Sequence, residues 1–352
     1  MEKINIKVAD VGTIRRAACS PENIIPEELR GYQAQRRERD DGAFSYTGGF
    51  CVSVKLIRNG SKPKCMRCWK DSSVLGYPEQ LTHLNEVLDV VKNEEVNKYF
   101  INYEIYEDLL KVEDGDVIPG LIMDWVEGDT LNKYVYQSSG KSQEQLLAVA
   151  DKFVKMCHYL NEHKLSHGDL SAVNIIVTED CELKLIDYDS LYTPDMGKKR
   201  QFITGIKDYQ HPSRELAQYY GVYTDYFSQH VIYAALLIMA LDGSTRPEAK
   251  NLKHLLFTES DFKDKEAFQN SDVVRRGYSL KNVALSNELD ILSNSLELPL
   301  EKVPPLLDEF EEAVKPKIRL MKRCNICKKP FKTDTQKRCS FCGSERKGII
   351  MS

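Results

Sequence analysis

Three observations predict an α+β chain of two lobes, a small β-rich one ahead of a larger helical one, followed by a short metal-held ribbon. Residues 42–70 alternate apolar and polar with tight-turn residues between the runs, which is the period of paired strands. From Tyr226 to about Val314 the apolar spacing is mostly helical. The last cysteines come as two Cys-x-x-Cys pairs. Strands first and helices later give two stacked units rather than an alternating parallel sheet.

The elements follow in order. Residues 1–40 are mixed and charged, and Arg36 to Asp41 reads as a solvated segment ahead of the folded body. Phe44 to Thr47 leads through Gly48-Gly49-Phe50 into a strand from Cys51 to Ile57; a turn at Asn59-Gly60 precedes a strand from Lys64 to Lys70. Leu81, Leu84, Val87, Leu88 and Val91 make 79–93 a helix. Strands return at 99–106 and 117–126 around the turn Glu113-Asp114-Gly115-Asp116, and 142–163 is a long amphipathic helix. Ser190 to Pro212 is irregular.

Composition narrows the class. The 352 residues are 42% apolar, enough for the core of two lobes. The net charge of −4 is unevenly spread: residues 315–352 hold twelve Lys and Arg against two acids, so an acidic body ends in a basic tail. Met1 to Ile6 carries no apolar signal core, and the longest apolar run, Val231 to Leu241, is too short for a bilayer and reads as a buried helix. No membrane association is expected. Ten cysteines without a secretion signal imply a reducing, cytoplasmic setting, where metal ligation outweighs disulfides.

The stretch 167–189 carries the chemistry. His167-Gly168-Asp169-Leu170 precedes Asn174; a strand at Ile175-Ile176-Val177, a turn at Glu179-Asp180 and a strand at Leu183 to Ile186 follow, ending on Asp187. A hairpin of this form brings three oxygen-bearing side chains together. Asp169 can accept a hydroxyl proton, and Asn174 and Asp187 can offer the hard oxygens that Mg²⁺ prefers.

This stretch resembles the catalytic loop and the Asp-Phe-Gly metal segment of the protein kinase superfamily, and the resemblance extends over about residues 40–310. Three positions depart from it: Gly168 stands where many protein kinases have Arg, Asp189 where the family has Gly, and Ser171 where Ser/Thr kinases have Lys. Phosphate control of the activation loop would therefore lack its usual Arg, and the loop after Asp187 is expected to flip less freely. His-Gly-Asp is equally typical of small-molecule kinases.

The resemblance implies ATP and Mg²⁺ and assigns the rest of a cleft. Gly48, Gly49 and Phe50 would cover the phosphates, with Cys51 where the last glycine of the family loop falls. Cys65 and Arg67 share a strand face and Lys70 faces the other way, so Arg67 is the expected phosphate cation, with Lys70 the alternative. The same alternation argues against Cys65 and Cys68 as joint metal ligands. Glu86 on the helix at 79–93 would pair with this cation, Glu79 being possible too. Met123, Asp124, Trp125 and Val126 resemble the hinge that holds adenine, with Met123 as gatekeeper.

Asp225 to Ile232 resembles the start of the central helix of protein kinases, where a buried Asp accepts hydrogen bonds from the catalytic loop; this favours a protein kinase over a small-molecule kinase. Tyr209-Gln210-His211-Pro212 lies where those kinases carry Ala-Pro-Glu. Together with Leu-Ile-Asp-Tyr-Asp it resembles a bacterial group of kinase-like proteins. Some of these accompany a PP2C-type phosphatase and a von Willebrand A-domain protein linked to tellurite resistance, and members often end in a zinc ribbon.

In the tail, Cys324 and Cys327 are separated by eleven residues from Cys339 and Cys342. Two such knuckles complete a tetrahedral Cys₄ site for structural Zn²⁺, and so short a segment would draw its folding energy from the metal. Its Lys and Arg allow nucleic-acid binding, which is not the favoured role.

The expected organisation is an N-terminal extension at 1–40, a kinase-like domain at 41–314 (lobes about 41–128 and 129–314) and a basic zinc ribbon at 315–352. The expected function is ATP- and Mg²⁺-dependent phosphorylation of Ser or Thr on a protein partner in a bacterial signalling or stress response. Asp169, Asn174, Asp187, Arg67 and Glu86 carry the catalysis. The alternatives are a small-molecule kinase and a nucleotide-binding pseudokinase scaffold.

Overall fold

The computed structural model describes residues 7–38, 42–70, 78–136, 142–245 and 254–307. The chain divides between Leu307 and Asp308, and all described residues lie in the first unit. The four tail cysteines lie outside them.

The first lobe is a sheet with a layer on each face. Strands β1 (Gln33–Ala34), β2 (Ser45–Thr47), β3 (Cys51–Ile57) and β4 (Lys64–Trp69) precede helix α2; α1 (Val11–Ala17) comes before them all. Helix α2 (Pro78–Lys92) is followed by β5 (Tyr103–Lys111) and β6 (Val117–Asp124). The strands run in the order β1-β3-β4-β6-β5, with β2 added on β3, and every pairing is antiparallel. The expected strand at 99–106 starts later, at Tyr103, because the chain turns just before it through a bond from the Phe100 N–H to the Asn97 carbonyl.

The extension is not merely solvated. Ile14, Ala17, Ala18, Ile24, Leu29 and Tyr32 pack with Val52, Val54, Leu56, Met66 and Cys68 in one core. These sheet residues alternate with Ser53, Cys65 and Arg67, so residues 7–34 cover the sheet face turned away from the cleft. Helix α1 is capped by Asp10, whose carboxylate accepts from the Gly12 and Thr13 N–H groups. The high charge of this segment hides its short apolar stripe from a periodicity reading.

The second lobe begins with β7 (Asp129–Thr130), α3 (Leu131–Tyr136) and α4 (Gln143–Glu162). Ser142 and Gln145 form a reciprocal capping box at the start of α4. β8 (Ile175–Val177) and β9 (Leu183–Leu185) form the expected hairpin, with β7 paired on β8. Helix α5 (Tyr226–Leu241) is buried almost throughout and packs against α4 and α8 (Val283–Ser295); α6 (Lys265–Asn270) and α7 (Asp272–Ser279) complete the lobe. A helix apolar on all sides belongs at the centre of a core, which places the 231–241 run there. Among the described residues no helix is long and apolar enough to cross a membrane.

Candidate active site

The hairpin joins the loop at 167–174 to Asp187. The Ile186 N–H donates to the Asn174 carbonyl at 3.0 Å, and the Ile186 carbonyl lies 2.9 Å from His167 Nε2. Asn174 spends both Nδ2 hydrogens on Asp169, reaching its carbonyl at 2.8 Å and its Oδ2 at 3.1 Å. Only Asn174 Oδ1 is then left to ligate. Asp169 Oδ1 accepts from the Ile206 N–H at 3.2 Å. Burial, with the nearby Asp187 charge adding to it, pushes the Asp169 carboxyl up to about 6, against the pull of His167 and of these hydrogen bonds. Gly205 is a glycine for a visible reason: at φ +80°, its Cβ would stand 2.6 Å from Asp169 Oδ1.

Asp187 sits at φ +63°, a left-handed backbone rare outside glycine and often found at functional sites. Its side chain is 40% exposed, whereas that of Arg67 is 8% exposed. Arg67 binds Asp187 and also holds Asp189 in a two-pronged pair, Nη1–Oδ1 2.6 Å and Nη2–Oδ2 2.8 Å. Burial alone would lower the Arg67 pKa; the two carboxylates more than offset this and keep it charged. Two carboxylates on one guanidinium leave one negative charge over, and the exposed Asp187 is where a cation could reach it. Its carboxylate and Asn174 Oδ1 are hard donors of the kind that suits Mg²⁺.

The expected Arg67–Glu86 pair is corrected. Glu86 takes the Lys199 ammonium at 2.7 Å, while Arg67 is taken up by the two acids after the hairpin. Asp189 takes both Nη groups of Arg67, and the helix carboxylate pairs with Lys199 instead. Lys70 lies just past the end of β4, its N–H donating to the Phe50 carbonyl at 2.8 Å. Burial pushes the Cys65 thiol up to about 11 and that of Cys68 to about 12, so both stay protonated. Among the described residues no group of His, Cys, Asp and Glu is arranged to hold a metal ion.

The glycine turn lies over the acids: a Cβ on Gly48 would stand 3.8 Å from Asp187 Oδ2. The Gly48 N–H closes the turn on the Cys51 carbonyl at 2.9 Å, and a Cβ added at Gly49 would meet nothing within 4 Å. On β6, between β4 and β5, Met123 pairs across the ladder with Cys65 and Tyr103. Asp124 takes the Lys64 ammonium at 2.7 Å, and the Trp125 N–H donates to the Pro63 carbonyl. Trp125 stacks on Tyr46 at 6.0 Å, with the Lys55 ammonium 5.0 Å from its ring centre; Val126 is half-buried.

A protein kinase domain model matches residues 78–341, three quarters of the chain. The chain belongs to the protein kinase family. The match begins at α2, so the glycine turn and Arg67 lie ahead of it. The serine/threonine-protein kinase PAK 1 of Mus musculus is 23% identical over 266 residues, 70% of this chain and 45% of that protein. The serine/threonine-protein kinase max-2 of Caenorhabditis elegans is 24% identical over 161 residues, 41% of this chain and 24% of that protein. The maternal embryonic leucine zipper kinase of Xenopus laevis is 25% identical over 197 residues, 54% and 28% respectively. The chain thus spans less than half the length of each of these relatives.

In this kinase domain the catalytic loop hangs on Asp225, as expected. The buried Asp225 carboxylate accepts from the His167 N–H and, at 3.1 Å, from the Gly168 N–H. Sequence reasoning missed Arg214. This buried guanidinium donates to the Gly168 carbonyl at 2.9 Å and also binds Gln201 and the Ile203 carbonyl, tying the catalytic loop to the segment after it. Nothing in the sequence around Arg214 signals this contact. Lys199, the partner of Glu86, carried no signal in its neighbourhood.

Proposed function

We propose that this chain is an ATP- and Mg²⁺-dependent protein kinase that transfers the γ-phosphate to Ser or Thr of a protein partner. The observation that carries the reading is the convergence of Asp169, Asn174 and Asp187 on one hairpin, tied to the buried Asp225. Serine/threonine kinases among the relatives support the acceptor class.

Asp169 orients the acceptor hydroxyl and takes its proton. Its carboxyl, pushed up to about 6, is mostly ionised at neutral pH yet more basic than an exposed Asp. Asp187 and Asn174 Oδ1 would hold Mg²⁺, which when bound neutralises charge on the transferring phosphoryl group. Arg67 faces the phosphates from β4, Gly48, Gly49 and Phe50 close over them, and Met123 to Val126 receive the adenine, with Trp125 as its aromatic wall. Phosphoryl transfer needs positioning and charge neutralisation more than covalent chemistry, and this set supplies both.

The finer assignments are proposals of the same kind. The kinase domain spans about 41–314, and Cys324, Cys327, Cys339 and Cys342 bind one structural Zn²⁺ in a basic ribbon. A bacterial signalling module with a PP2C-type phosphatase and a von Willebrand A-domain protein as partners is the proposed setting.

The test separates binding from transfer. Asp169→Ala should keep Mg²⁺-dependent ATP binding and lose about 10²–10⁴-fold in transfer to protein. Full transfer by this variant removes the assignment. Label appearing on a metabolite pool rather than on protein would mark a small-molecule kinase instead.

A further inference from the structure

We infer that Asp189, not the helix carboxylate Glu86, is the positioning residue that aims Arg67 at the nucleotide phosphates. The inference rests on the reading of Arg67 as the phosphate-facing cation.

The geometry is specific. Arg67 and Asp189 form a parallel two-bond pair at 2.6 and 2.8 Å with side chains 8% and 10% exposed. A guanidinium held through two parallel bonds has its plane fixed, which a single contact does not achieve. Glu86 is engaged by Lys199 at 2.7 Å and by no group of Arg67. Asp189 is itself anchored on both sides. Tyr188 before it is buried, its ring against Phe100 and Tyr103 and its hydroxyl on the Ile101 carbonyl. Ser190 after it is buried, with its hydroxyl accepting from Tyr220 and its backbone pressed against Gly168.

The division of labour between the two acids follows from their exposure. Arg67 binds both, but Asp187 is 40% exposed and Asp189 only 10%. If Asp187 turns toward a metal, Arg67 loses one partner, and a buried guanidinium without a carboxylate would be strongly disfavoured. Asp189 keeps it neutralised and pointed. Arg67 is thus shared between the two acids, and would rest on Asp189 alone once Asp187 holds a metal. Glu86 is freed for a separate task, holding α2 to the segment at 199.

The experiment compares MgATP with adenosine, because phosphate positioning affects only the first, while damage to the fold affects both. Affinities are measured by calorimetry on full-length wild type, Arg67→Ala, Asp189→Asn, Asp189→Glu and Glu86→Gln. Asp189→Asn should weaken MgATP about tenfold or more, the scale of a lost charged hydrogen-bonded pair, and leave adenosine within about twofold. Asp189→Glu should recover part of the loss. Glu86→Gln should leave the MgATP-to-adenosine ratio as in wild type. A tenfold loss of that ratio in Glu86→Gln, or an unchanged ratio in Asp189→Asn, overturns the inference. Should Asp189→Asn not fold, Asp189→Glu decides: a lowered ratio with adenosine binding kept supports the inference, and a wild-type ratio overturns it. Arg67→Ala separates the two levels: if it leaves the ratio unchanged, the phosphate role of Arg67 itself fails. If it lowers the ratio while Asp189→Asn does not, only the role of Asp189 fails.

Discussion

Replacing Gly168 with alanine tests how tightly the catalytic loop is packed against the segment after Asp187. Gly168 lies at φ +82°, where an L side chain costs about 1–2 kcal/mol. Its new Cβ would stand 2.3 Å from the Ser190 carbonyl oxygen and 2.5 Å from Ser190 Cβ, and Ser190 is buried. Overpacking of this kind adds about 1–3 kcal/mol, so the total is about 2–5 kcal/mol. For a unit of this size that lowers the Tm by roughly 3–8 °C. The natural control is Gly115→Ala, at φ +87° but with nothing within 4 Å of the added Cβ, which should cost only the backbone part. Urea unfolding of the two variants beside wild type gives both numbers. A Gly168→Ala loss no larger than that of Gly115→Ala would refute the packing argument. The same geometry explains why an Arg cannot stand at 168.

Other consequences can be measured directly. Because Asp169 must be ionised to take a proton and titrates near 6, transfer should be flat at neutral pH and fall about tenfold per pH unit below about 6; a profile flat to pH 5 removes Asp169 as base. The same burial makes the charged carboxylate a cost to the fold. Asp169→Asn should therefore raise the Tm at pH 8, and the gain should shrink toward pH 4 as the proton returns. Asp225→Asn should cost about 1.5–3 kcal/mol in urea unfolding, since the His167 and Gly168 N–H groups lose a charged acceptor; an unchanged midpoint contradicts that role. Wild type should carry one zinc by elemental analysis and Cys324→Ser/Cys339→Ser none, equal content in both being the contrary result.

Much of the cleft was legible in the sequence because it obeys local periods. The alternation of Cys65 and Arg67 set the face from which Arg67 reaches Asp187, and the apolar runs at Ile175 and Leu183 fixed the hairpin. The buried run from Val231 to Leu241 could only be a central helix. What stayed hidden depends on partners distant in sequence. Nothing near Glu86 says that it will meet Lys199, 113 residues on. Nothing near Arg214 says that it will reach Gly168. The apolar stripe of residues 7–34 is broken by charges on its outer side, so its packing against Val52, Val54 and Leu56 escaped a periodicity reading. Asp189 was visible as a departure from the family pattern, but its role required the structure to bring it to Arg67.

The central claim is that the acids of this hairpin perform phosphoryl transfer to protein. Its most direct measurement incubates the purified full chain with γ-labelled ATP, Mg²⁺ and a protein acceptor mixture, in wild type and in Asp187→Ala. The account predicts alkali-labile label on Ser or Thr of protein in the wild type, absent with EDTA and absent in Asp187→Ala, which also loses Mg²⁺-dependent ATP binding. Equal labelling by both proteins, or ATP binding by the wild type with no label on any protein, would contradict it.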